Sequence, residues 1–492
     1  MKPVKLVEKS VEILCPVRYT VSNKETNVFV ERTEEMRNER EERKVKVGLL
    51  GLGTVGTGVA RIIAGHQEEL RNQTSSQIEI AKVLVREPEK KRQIELDRNL
   101  ITTRADDLLM DPEIDVIVEV MGGIHPTKQY LLKALEQGKH VVTANKDLMA
   151  LHGAEILHKA REMNCDVYYE ASVAGGIPIL RALMDSFSSD RVTRIMGIVN
   201  GTTNYILSKM SREGAGYEEV LKEAQALGYA EADPSSDVGG LDAARKMVIL
   251  STLGFHSPVS LEDVDVQGIE SVSREDIAYA KKMGYEMKLL GVAAHDQDGI
   301  EICVQPALVA RSHPLASVHG VFNAVYVYGE AVGETMFYGP GAGELPTATS
   351  VVSDLVSVVK NMNLGVNGRS VVKPYREKKL KGDAQKRFKT FLRLIAADEC
   401  GVLAQITRLM SDYNISLEQV LQQPRTNQKE AEIVLVTHHV SKQDLDQVLA
   451  RLKEMDVIRT VKSCYRVEDG EMPQAKPDRK EEGNELIMAV NG

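Results

Sequence analysis

Three glycines between residues 51 and 56 carry the first chemical signal in the chain. Gly51, Gly53 and Gly56 form a G-x-G-x-x-G motif that follows an apolar run and precedes residues with helical spacing. Between a strand and a helix, such a motif lets the backbone turn tightly and approach a pyrophosphate, which N–H groups at the helix start can bind. We therefore predict a dinucleotide-binding turn, with a structural glycine turn as the alternative. The predicted contacts are Gly51, Leu52, Gly53, Thr54, Val55 and Gly56.

Basic residues follow the next apolar run. Arg86 stands where folds that prefer NAD place a carboxylate for the ribose 2′-OH, and Lys90, Lys91 and Arg92 come soon after it. Because a guanidinium suits a 2′-phosphate, Arg86 predicts NADP(H) as the cofactor. NAD stays possible because Glu87 is adjacent, and a solvated basic loop is the alternative interpretation.

Two lysines and an aspartate form a second chemical signal. Asp242 and Lys246 are four residues apart on a predicted helix, so they share a face and Asp242 can orient the ammonium group. Such a pair alone is most often a surface salt bridge, but here a glycine-rich loop with several acidic residues precedes it. Lys146 follows a predicted strand, at the edge where open α/β sheets place their ligands.

The elements that position these residues alternate along the first third of the chain. After the glycine motif, apolar runs at 78–85, 115–121 and 139–145 are separated by helical segments such as 128–138. This alternation predicts an α/β fold, a doubly wound parallel Rossmann sheet, which a later helix at about 345–365 is expected to complete.

The pattern changes in the rest of the chain. Strands predicted at 192–200, 300–309 and 322–330, separated by longer helical stretches, indicate an α+β domain. A βαββαβ order near the C-terminus predicts a separate ferredoxin-like module. The predicted divisions are an extension 1–44, a Rossmann domain 45–171, an α+β domain 172–344, a linker 366–386, the ferredoxin-like module 387–467 and a flexible tail 468–492.

Composition excludes several classes of protein. With 43% hydrophobic and 27% charged residues, the 492-residue chain is typical of a globular multidomain protein, and its net charge of −9 does not favour nucleic acid. The five cysteines are scattered and form no C-x-x-C pair, so neither a disulfide framework nor a zinc site is expected. No stretch approaches the length of a membrane span, and we expect a cytoplasmic protein.

Three long segments carry a family resemblance. The sequences EASVAGGIPI (170–179), GIVNGTTNYIL (197–207) and ALGYAEADPSSDVGGLDAARK (226–246) together resemble homoserine dehydrogenases. The resemblance runs from about Lys46 to Met362. It implies NAD(P)H-dependent reduction of L-aspartate 4-semialdehyde to L-homoserine, on the route to threonine, methionine and isoleucine. It also implies a homodimer or homotetramer whose α+β domain binds substrate and mediates dimerisation.

The resemblance also assigns roles to single residues. Lys246 matches the catalytic lysine of the family, and Asp242 orients its ammonium group. Lys146 is the second catalytic candidate, and the resemblance places it near both the nicotinamide of the cofactor and the substrate. Glu231 matches the residue that holds the substrate amino group, whereas Asp237 is a weaker candidate for positioning the substrate. Which lysine transfers the proton stays open.

Further matches concern the cofactor and an ion. Gly228 and Gly343 match positions where the backbone approaches the cofactor or substrate, with plain turns as the alternative. A monovalent cation, Na⁺ or K⁺, is implied with a structural role, because carbonyl-rich sites suit such ions better than transition metals. The ligands implied are Glu170 and the main-chain carbonyls of Val173, Gly175 and Ile177, with an ordinary glycine-proline turn as the alternative.

The C-terminal module looks like an ACT domain. The sequence DECGVL (398–403) lies at its first strand-to-helix junction, where Gly401 permits a close turn. N–H groups of Val402 and Leu403 are placed to receive the carboxylate of an amino acid. The resemblance implies threonine as effector; the alternative is a module that only dimerises.

Two other functions remain open at this stage. One is a different amino-acid or semialdehyde dehydrogenase with the same cofactor. The other is a catalytically silent amino-acid sensor that retains nucleotide binding. The presence of Glu231, Asp242 and Lys246 together argues against the silent sensor.

Overall fold

The computed structural model describes residues 43–368, 374–425 and 429–470. Most of the predicted N-terminal extension, part of the predicted linker and all of the predicted tail beyond residue 470 lie outside the described residues. Among the helices within these ranges, none combines the length and the apolar character needed to cross a bilayer.

The first sheet is built from six strands with helices between them. The strands are β1 Arg43–Leu50, β2 Ser76–Leu84, β3 Ile101–Thr102, β4 Val116–Glu119, β5 His140–Thr143 and β6 Val167–Tyr168. The helices are α1 Thr54–Gly65, α2 Gln67–Thr74, α3 Asp106–Leu109, α4 Thr127–Glu136 and α5 Lys146–Glu162. All neighbouring strands are parallel, and their order across the sheet is β3-β2-β1-β4-β5-β6. The strand numbers fall from β3 to β1 and rise from β4 to β6, so the topological switch point lies between β1 and β4. This order confirms the predicted Rossmann sheet.

The next part of the chain is a mixed α+β region. Its strands are β7 Val192–Ile198, β8 Asp265–Val266, β9 Tyr285–His295, β10 Ile300–Ala310, β11 Phe322–Gly329 and β12 Gly333–Pro340. Its helices are α6 Ile179–Arg181, α7 Gly201–Glu213, α8 Tyr217–Ala226, α9 Ser235–Val238, α10 Leu241–Phe255, α11 Arg274–Lys282 and α12 Glu344–Leu364. The α+β class is confirmed, but β8, β9 and β12 are strands that the sequence analysis did not predict.

The third part has the predicted βαββαβ order, with one additional two-residue strand. Its elements are β13 Arg387–Ala397, α13 Val402–Asp412, β14 Leu417–Pro424, β15 Glu430–Thr437, β16 Val440–Ser441, α14 Lys442–Glu454 and β17 Ile458–Glu468. The two helices pack on the sheet around a core of their own that includes Ile406, Leu435 and Val448. The ferredoxin-like architecture is therefore confirmed.

One sheet joins the second and third parts. Its strands follow the order β12-β11-β7-β9-β10-β17-β13-β15-β14, with β8 beside β10 and β16 beside β13. The joint is a parallel pairing of β10 with β17, in which Ala307 faces Arg466 and Val309 faces Glu468. The C-terminal module therefore continues the sheet of the α+β region, a connection that the sequence analysis did not anticipate.

Helix α12 packs against the Rossmann sheet. Its residues Val351 and Leu355 share a core with Val47 and Val59 from β1 and α1. A Cβ at Gly58 would lie 2.7 Å from the Glu344 carbonyl oxygen and 2.9 Å from Ala348 Cβ, so only glycine allows this approach of α1 to α12. The chain thus returns to its first domain before it enters the C-terminal module.

Candidate functional site

A cavity of about 580 Å³ lies where loops at the carboxyl edge of the first sheet meet the α+β region. Val120 and Ala144, which directly follow β4 and β5, contribute to its wall. Open α/β sheets bind ligands at this edge. The predicted residues that line the cavity are Val55, Lys146, Gly175, Gly228, Asp237, Asp242, Lys246 and Gly343.

Asp242 lies between the two predicted lysines. Its Oδ2 accepts a hydrogen bond from Lys246 Nζ at 2.7 Å, and its Oδ1 is 3.3 Å from Lys146 Nζ. Lys246 also donates to the carbonyl oxygen of Val199 at 2.6 Å. Lys146 is the first residue of α5, three positions after the end of β5, whereas Asp242 and Lys246 lie one turn apart on α10. Two domains therefore place their ammonium groups around one carboxylate.

The charges of this cluster stabilise one another. Burial acts to raise the pKa of Asp242, but Lys246, Lys146 and a hydrogen bond from Asn200 lower it to about 2. Burial acts to lower the pKa of Lys146, but Asp242, together with Asp147 and Asp237, raises it. Asp242 is therefore ionised and Lys146 is protonated at neutral pH.

Asp237 and Asn200 lie beside this cluster. Burial, with the neighbouring Asp242 charge, raises the pKa of Asp237, and hydrogen bonds only partly offset the effect. Asn200 Nδ2 donates to Asp237 Oδ1 at 2.7 Å and to Asp242 Oδ2 at 2.8 Å. The sequence analysis missed Asn200, although its place two residues after the end of β7, in the segment NGTTN, is an identifiable signal.

A buried glutamate shapes the loop that follows β4. Glu119 accepts N–H bonds from Met121 and Gly122, both at 2.9 Å, and the Thr143 hydroxyl donates to its other oxygen at 2.5 Å. Asn145 Nδ2 donates to the carbonyl oxygen of Gly123 at 2.7 Å. These residues hold the cavity wall, and the sequence analysis missed both Glu119 and Asn145.

The glycine motif has the shape that a phosphate group requires. A Cβ on Gly51 would lie 2.9 Å from Met121 backbone atoms, and one on Gly56 would lie 2.2 Å from the Gly51 carbonyl oxygen. By contrast, a Cβ on Gly53 would meet nothing within 4 Å, so this glycine faces open space. Gly53 is the N-cap of α1 and supplies no side-chain cap, which leaves the first N–H groups of the helix for a ligand. The motif therefore fits a pyrophosphate.

Arg86 and Arg92 differ in their surroundings. Arg92 donates to the carbonyl oxygens of Glu87, Pro88 and Lys90 at 2.5 to 3.1 Å, so it holds its own loop together. Arg86, two residues beyond β2, is exposed. Of the two guanidinium groups, Arg86 is the one better able to contact a ribose phosphate.

Glu231 is not among the residues that the structure brings together. Its side chain is exposed and does not line the cavity, and its carbonyl oxygen accepts a hydrogen bond from Gln225 Nε2 at 3.2 Å. The assignment of Glu231 to the substrate amino group therefore rests on the motif alone.

Three of the four predicted cation ligands already have hydrogen-bond partners. Glu170 accepts N–H bonds from Leu180 and Arg181 at 2.8 and 2.7 Å. The Gly175 carbonyl oxygen accepts the Ser350 hydroxyl at 2.7 Å, and the Ile177 carbonyl oxygen accepts the Ile179 N–H at 2.9 Å. Because a carbonyl oxygen has two lone pairs, each still offers one to a cation.

Within residues 43–368, 374–425 and 429–470, no group of three or more His, Cys, Asp or Glu side chains is placed to hold a metal ion.

The start of α13 is the candidate effector site. Gly401, its N-cap, has a φ of 87°, and the helix start has no side-chain cap. A Cβ on Gly401 would meet nothing within 4 Å. The backbone conformation thus explains the glycine. The Val402 N–H donates to the Glu399 carbonyl oxygen at a long distance of 3.4 Å, and no side chain caps the helix start, so the start of α13 is compatible with a bound carboxylate.

Three family models match the chain. The model described as homoserine dehydrogenase matches residues 178–356, and that described as homoserine dehydrogenase, NAD binding domain, matches residues 51–170. The ACT domain model matches residues 390–456. Together they span the first domain, most of the α+β region and the C-terminal module.

Whole proteins match over most of the chain as well. A homoserine dehydrogenase of Bacillus subtilis (strain 168) is 57% identical over 427 residues, covering 87% of this chain and 99% of the relative. The crystal structure of a homoserine dehydrogenase from Thiobacillus denitrificans is 39% identical with a TM-score of 0.79, covering 87% of this chain and 99% of that chain. A hyperthermophilic archaeal homoserine dehydrogenase in complex with NADPH is 26% identical with a TM-score of 0.55, covering 64% of this chain and 97% of that chain.

Proposed function

The chain belongs to the homoserine dehydrogenase family, oxidoreductases that act on a CH–OH group, and on this premise we propose that it interconverts L-aspartate 4-semialdehyde and L-homoserine. The observation that carries the proposal is the Lys146–Asp242–Lys246 cluster in the cavity beside the glycine motif. We further propose that the reaction serves threonine, methionine and isoleucine biosynthesis.

The cluster suits the charge that develops in this reaction. The bound dinucleotide supplies the hydride for reduction of the aldehyde carbon and accepts it in the reverse direction. Negative charge then builds on the substrate oxygen, where a cation or proton donor is required. Lys246 is held by Val199 and Asp242, so its ammonium group has a defined direction. Lys146, on the cofactor-binding domain, adds a second positive charge to the same cavity.

Asp237 is the better placed group for the substrate ammonium. It lines the cavity next to Asp242, whereas Glu231 is exposed and outside it. A carboxylate whose pKa is raised by burial gains from a cationic partner, because the pair relieves the cost of burying the charge. We retain Glu231 as a proposed contact on the strength of its motif.

Turnover of homoserine tests the proposed function. We expect the purified protein to oxidise L-homoserine with NADP⁺, followed by the near-ultraviolet absorbance of the reduced nicotinamide. L-Serine, which carries its hydroxyl one carbon closer to the amino group, is the matched control and is expected to react at least about tenfold more slowly, since one methylene changes binding by about 1–3 kcal/mol. Faster oxidation of another amino alcohol would assign a different dehydrogenase activity. Nucleotide binding without turnover would favour the sensor alternative.

The cofactor is proposed to be NADP(H), with NAD as a possible second cofactor. Arg86 lies beyond β2 and is exposed, whereas Arg92 hydrogen-bonds to carbonyl oxygens of its own loop. The archaeal relative is described in complex with NADPH. We expect Arg86→Ala to raise the KM for NADP⁺ roughly 10- to 100-fold, the effect of losing a hydrogen bond to a charged group, and to leave the KM for NAD⁺ within about twofold. Initial rates with both cofactors measure the difference.

Arg98 provides the control for this variant. It is 88% exposed and is paired only loosely with Glu89, at 4.0 Å. Arg98→Ala is expected to leave both KM values unchanged. An equal loss of NADP⁺ and NAD⁺ binding in Arg86→Ala would refute the proposed contact with the 2′-phosphate.

A monovalent cation, Na⁺ or K⁺, is proposed to bind at the turn of Glu170, Val173, Gly175 and Ile177. The support is the set of oxygens in this segment, where the guanidinium group of Arg181 pairs with Asp354 at 2.7 Å and only the Arg181 backbone N–H bonds to Glu170. The role we propose is structural. Melting temperatures in sodium, potassium and choline chloride at equal ionic strength measure it, and equal values in all three salts would exclude the site.

L-Threonine is proposed as the effector of the ACT domain. The uncapped start of α13 at Gly401 supports an amino-acid carboxylate as its ligand. Homoserine oxidation with added L-threonine, and with D-threonine as the control, measures the effect. Rates unchanged by L-threonine would favour a module that only dimerises.

We also propose a cytoplasmic homodimer or homotetramer. Both ends of the long sheet, β12 and β14, have one edge without a strand partner within the described residues. A second copy is a suitable neighbour for such an edge. Light scattering during size-exclusion chromatography measures the assembly, and a monomeric mass would exclude it.

A further inference from the structure

Asn200 lies at the junction between a strand and a helix of the site. It follows the end of β7 at Ile198 and is the N-cap of α7. Its Oδ1 accepts hydrogen bonds from the N–H and from the hydroxyl of Thr203, both at 2.9 Å. Because a backbone N–H can only donate, this contact fixes which way the amide faces. The Nδ2 group must then point to the other side.

On that side, two carboxylates accept the two amide hydrogens. Asn200 Nδ2 is 2.7 Å from Asp237 Oδ1 and 2.8 Å from Asp242 Oδ2. Asn200 is 5% exposed and Asp242 is also 5% exposed, so water does not readily replace the amide. Two neighbouring carboxylates in such a setting repel each other unless a donor lies between them.

The same turn of the backbone also fixes the lysine. The carbonyl oxygen of Val199 accepts Lys246 Nζ at 2.6 Å, and the adjacent Asn200 side chain holds the Asp242 oxygen to which Lys246 also donates. Thr202 Oγ1, two residues later, is 3.3 Å from Asp237 Oδ2. Three of the four residues after β7, Val199, Asn200 and Thr202, thus hold both members of the lysine–aspartate pair and the neighbouring Asp237.

We propose that Asn200 is a positioning residue, whose amide holds Asp242 toward the two lysines and Asp237 toward the substrate. The inference deepens the proposed function, on which it rests. Asn200 itself acts through the two carboxylates and not on the reacting atoms. In this arrangement Asp242 orients the proton donor, and Asp237 binds the substrate ammonium group.

Asn200→Asp tests the proposal without removing the helix cap. Aspartate is as good an N-cap as asparagine and has the same shape, so α7 is expected to keep its start. The variant replaces the two amide donors by an acceptor next to two carboxylates. We expect kcat to fall roughly 10- to 100-fold at neutral pH, the cost of a lost hydrogen bond to a charged group. We expect partial recovery at lower pH, where the introduced carboxyl group becomes protonated and donates again.

Asn200→Ser is the matched variant. Serine also caps helices, but it adds no charge and is too short to bridge both carboxylates. We expect a comparable fall in kcat without recovery at low pH, and a melting temperature close to that of the wild type. Asn200→Asp is expected to melt at a lower temperature at neutral pH, because it buries a third carboxylate beside Asp237 and Asp242. A purely structural role predicts that activity follows melting temperature and that the pH profiles keep their shape; that result would overturn the proposal.

Lysine labelling gives a readout that does not depend on turnover. With Asp242 no longer held, Lys146 in Asn200→Ser is expected to react with acetic anhydride about 3- to 10-fold faster than in the wild type, because Asp242 helps to raise its pKa and a pKa lower by one unit increases the free amine about tenfold. Exposed Lys222 is the internal control, and mass spectrometry measures both lysines. Unchanged labelling would refute the proposed positioning. An inactive wild-type protein with accelerated labelling in the variant would instead refute only the proposed function.

Discussion

Replacing Lys246 by alanine is expected to lower kcat for homoserine oxidation about 10²- to 10⁴-fold, the usual contribution of a positioned proton-transfer group. The ammonium group donates to the Val199 carbonyl oxygen at 2.6 Å and to Asp242 Oδ2 at 2.7 Å. An ammonium has three hydrogens, so a third remains for the substrate oxygen. Alanine removes the donor. The variant keeps Lys146, whose Nζ is 3.3 Å from Asp242 Oδ1, as a cationic partner of Asp242. Steady-state rates over a range of pH measure the loss.

Geometry favours Lys246 over Lys146 as the proton-transfer residue. The Lys246 side chain is 12% exposed and has two close partners, whereas that of Lys146 is 35% exposed and has one longer contact. A group that must transfer a proton in a fixed direction benefits from the tighter support. We therefore expect Lys146→Ala to change the KM of substrate and cofactor more than Lys246→Ala does, and kcat less.

Lys246→Arg separates proton transfer from electrostatic stabilisation. Arginine keeps the positive charge and pairs well with a carboxylate, but a guanidinium does not give up its proton in a protein. The variant is therefore expected to be as slow as Lys246→Ala, and methylamine is expected to rescue Lys246→Ala in part. Activity of Lys246→Arg above about a tenth of the wild-type value would show that Lys246 acts by charge alone. Lys222→Ala, an exposed lysine on α8, is the control and is expected to change the rate less than twofold.

Local patterns in the sequence predicted the first sheet and the lysine–aspartate pair well. A glycine motif between an apolar run and a helix has few structural solutions, and residues four apart on a helix necessarily share a face, as Asp242 and Lys246 do. Strand β9 was missed for a physical reason. It is buried on both faces, so its apolar residues do not alternate, and periodicity does not distinguish such a strand from a buried helix.

The parts that were not predicted depend on contacts between distant residues. Asn200 bonds to Asp242 across 42 positions, and Arg194 bonds to Glu468 across 274 positions. No local pattern encodes either contact, because each exists only after the two segments have folded together. The family motif placed Glu231 at the substrate, whereas the structure places its side chain outside the cavity. The contact of Glu231 with the substrate therefore stays a prediction.

Four charged residues join the C-terminal module to the α+β region. Glu468 on β17 forms salt bridges with Arg194 of β7 at 2.5 Å and with Arg466 at 2.7 Å. Arg466 also forms a salt bridge with Glu301 of β10. All four are at most 5% exposed. Burial acts to raise the pKa of Glu468, but Arg194 and Arg466 together lower it. The network therefore depends on a carboxylate that balances two buried guanidinium groups.

Glu468→Gln is expected to lower the free energy of unfolding by about 3–5 kcal/mol, the usual effect of removing one member of a buried ion pair. Glutamine keeps the shape but leaves Arg194 and Arg466 with one less buried negative charge. The dependence on pH provides a second readout. Because the folded pKa of Glu468 is lowered, its stabilisation is complete above its ordinary value of 4.5 and is lost as pH falls through the folded value. The wild type should therefore lose stability on acidification, and the variant should lose less.

Glu454→Gln on α14 is the matched control, because it breaks an ion pair of the same chemistry on the surface of the same module. Glu454 is 2.9 Å from Arg451, and the two side chains are 66% and 62% exposed. Such surface pairs contribute about 0–1 kcal/mol to the free energy of unfolding. The midpoint of urea-induced unfolding of the control is therefore expected to be close to that of the wild type. Equal urea midpoints for Glu468→Gln and Glu454→Gln would show that burial adds nothing to the network. A large difference would show that the carboxylate at the β10–β17 joint holds the C-terminal module to β7, the strand that leads directly to Val199 and Asn200.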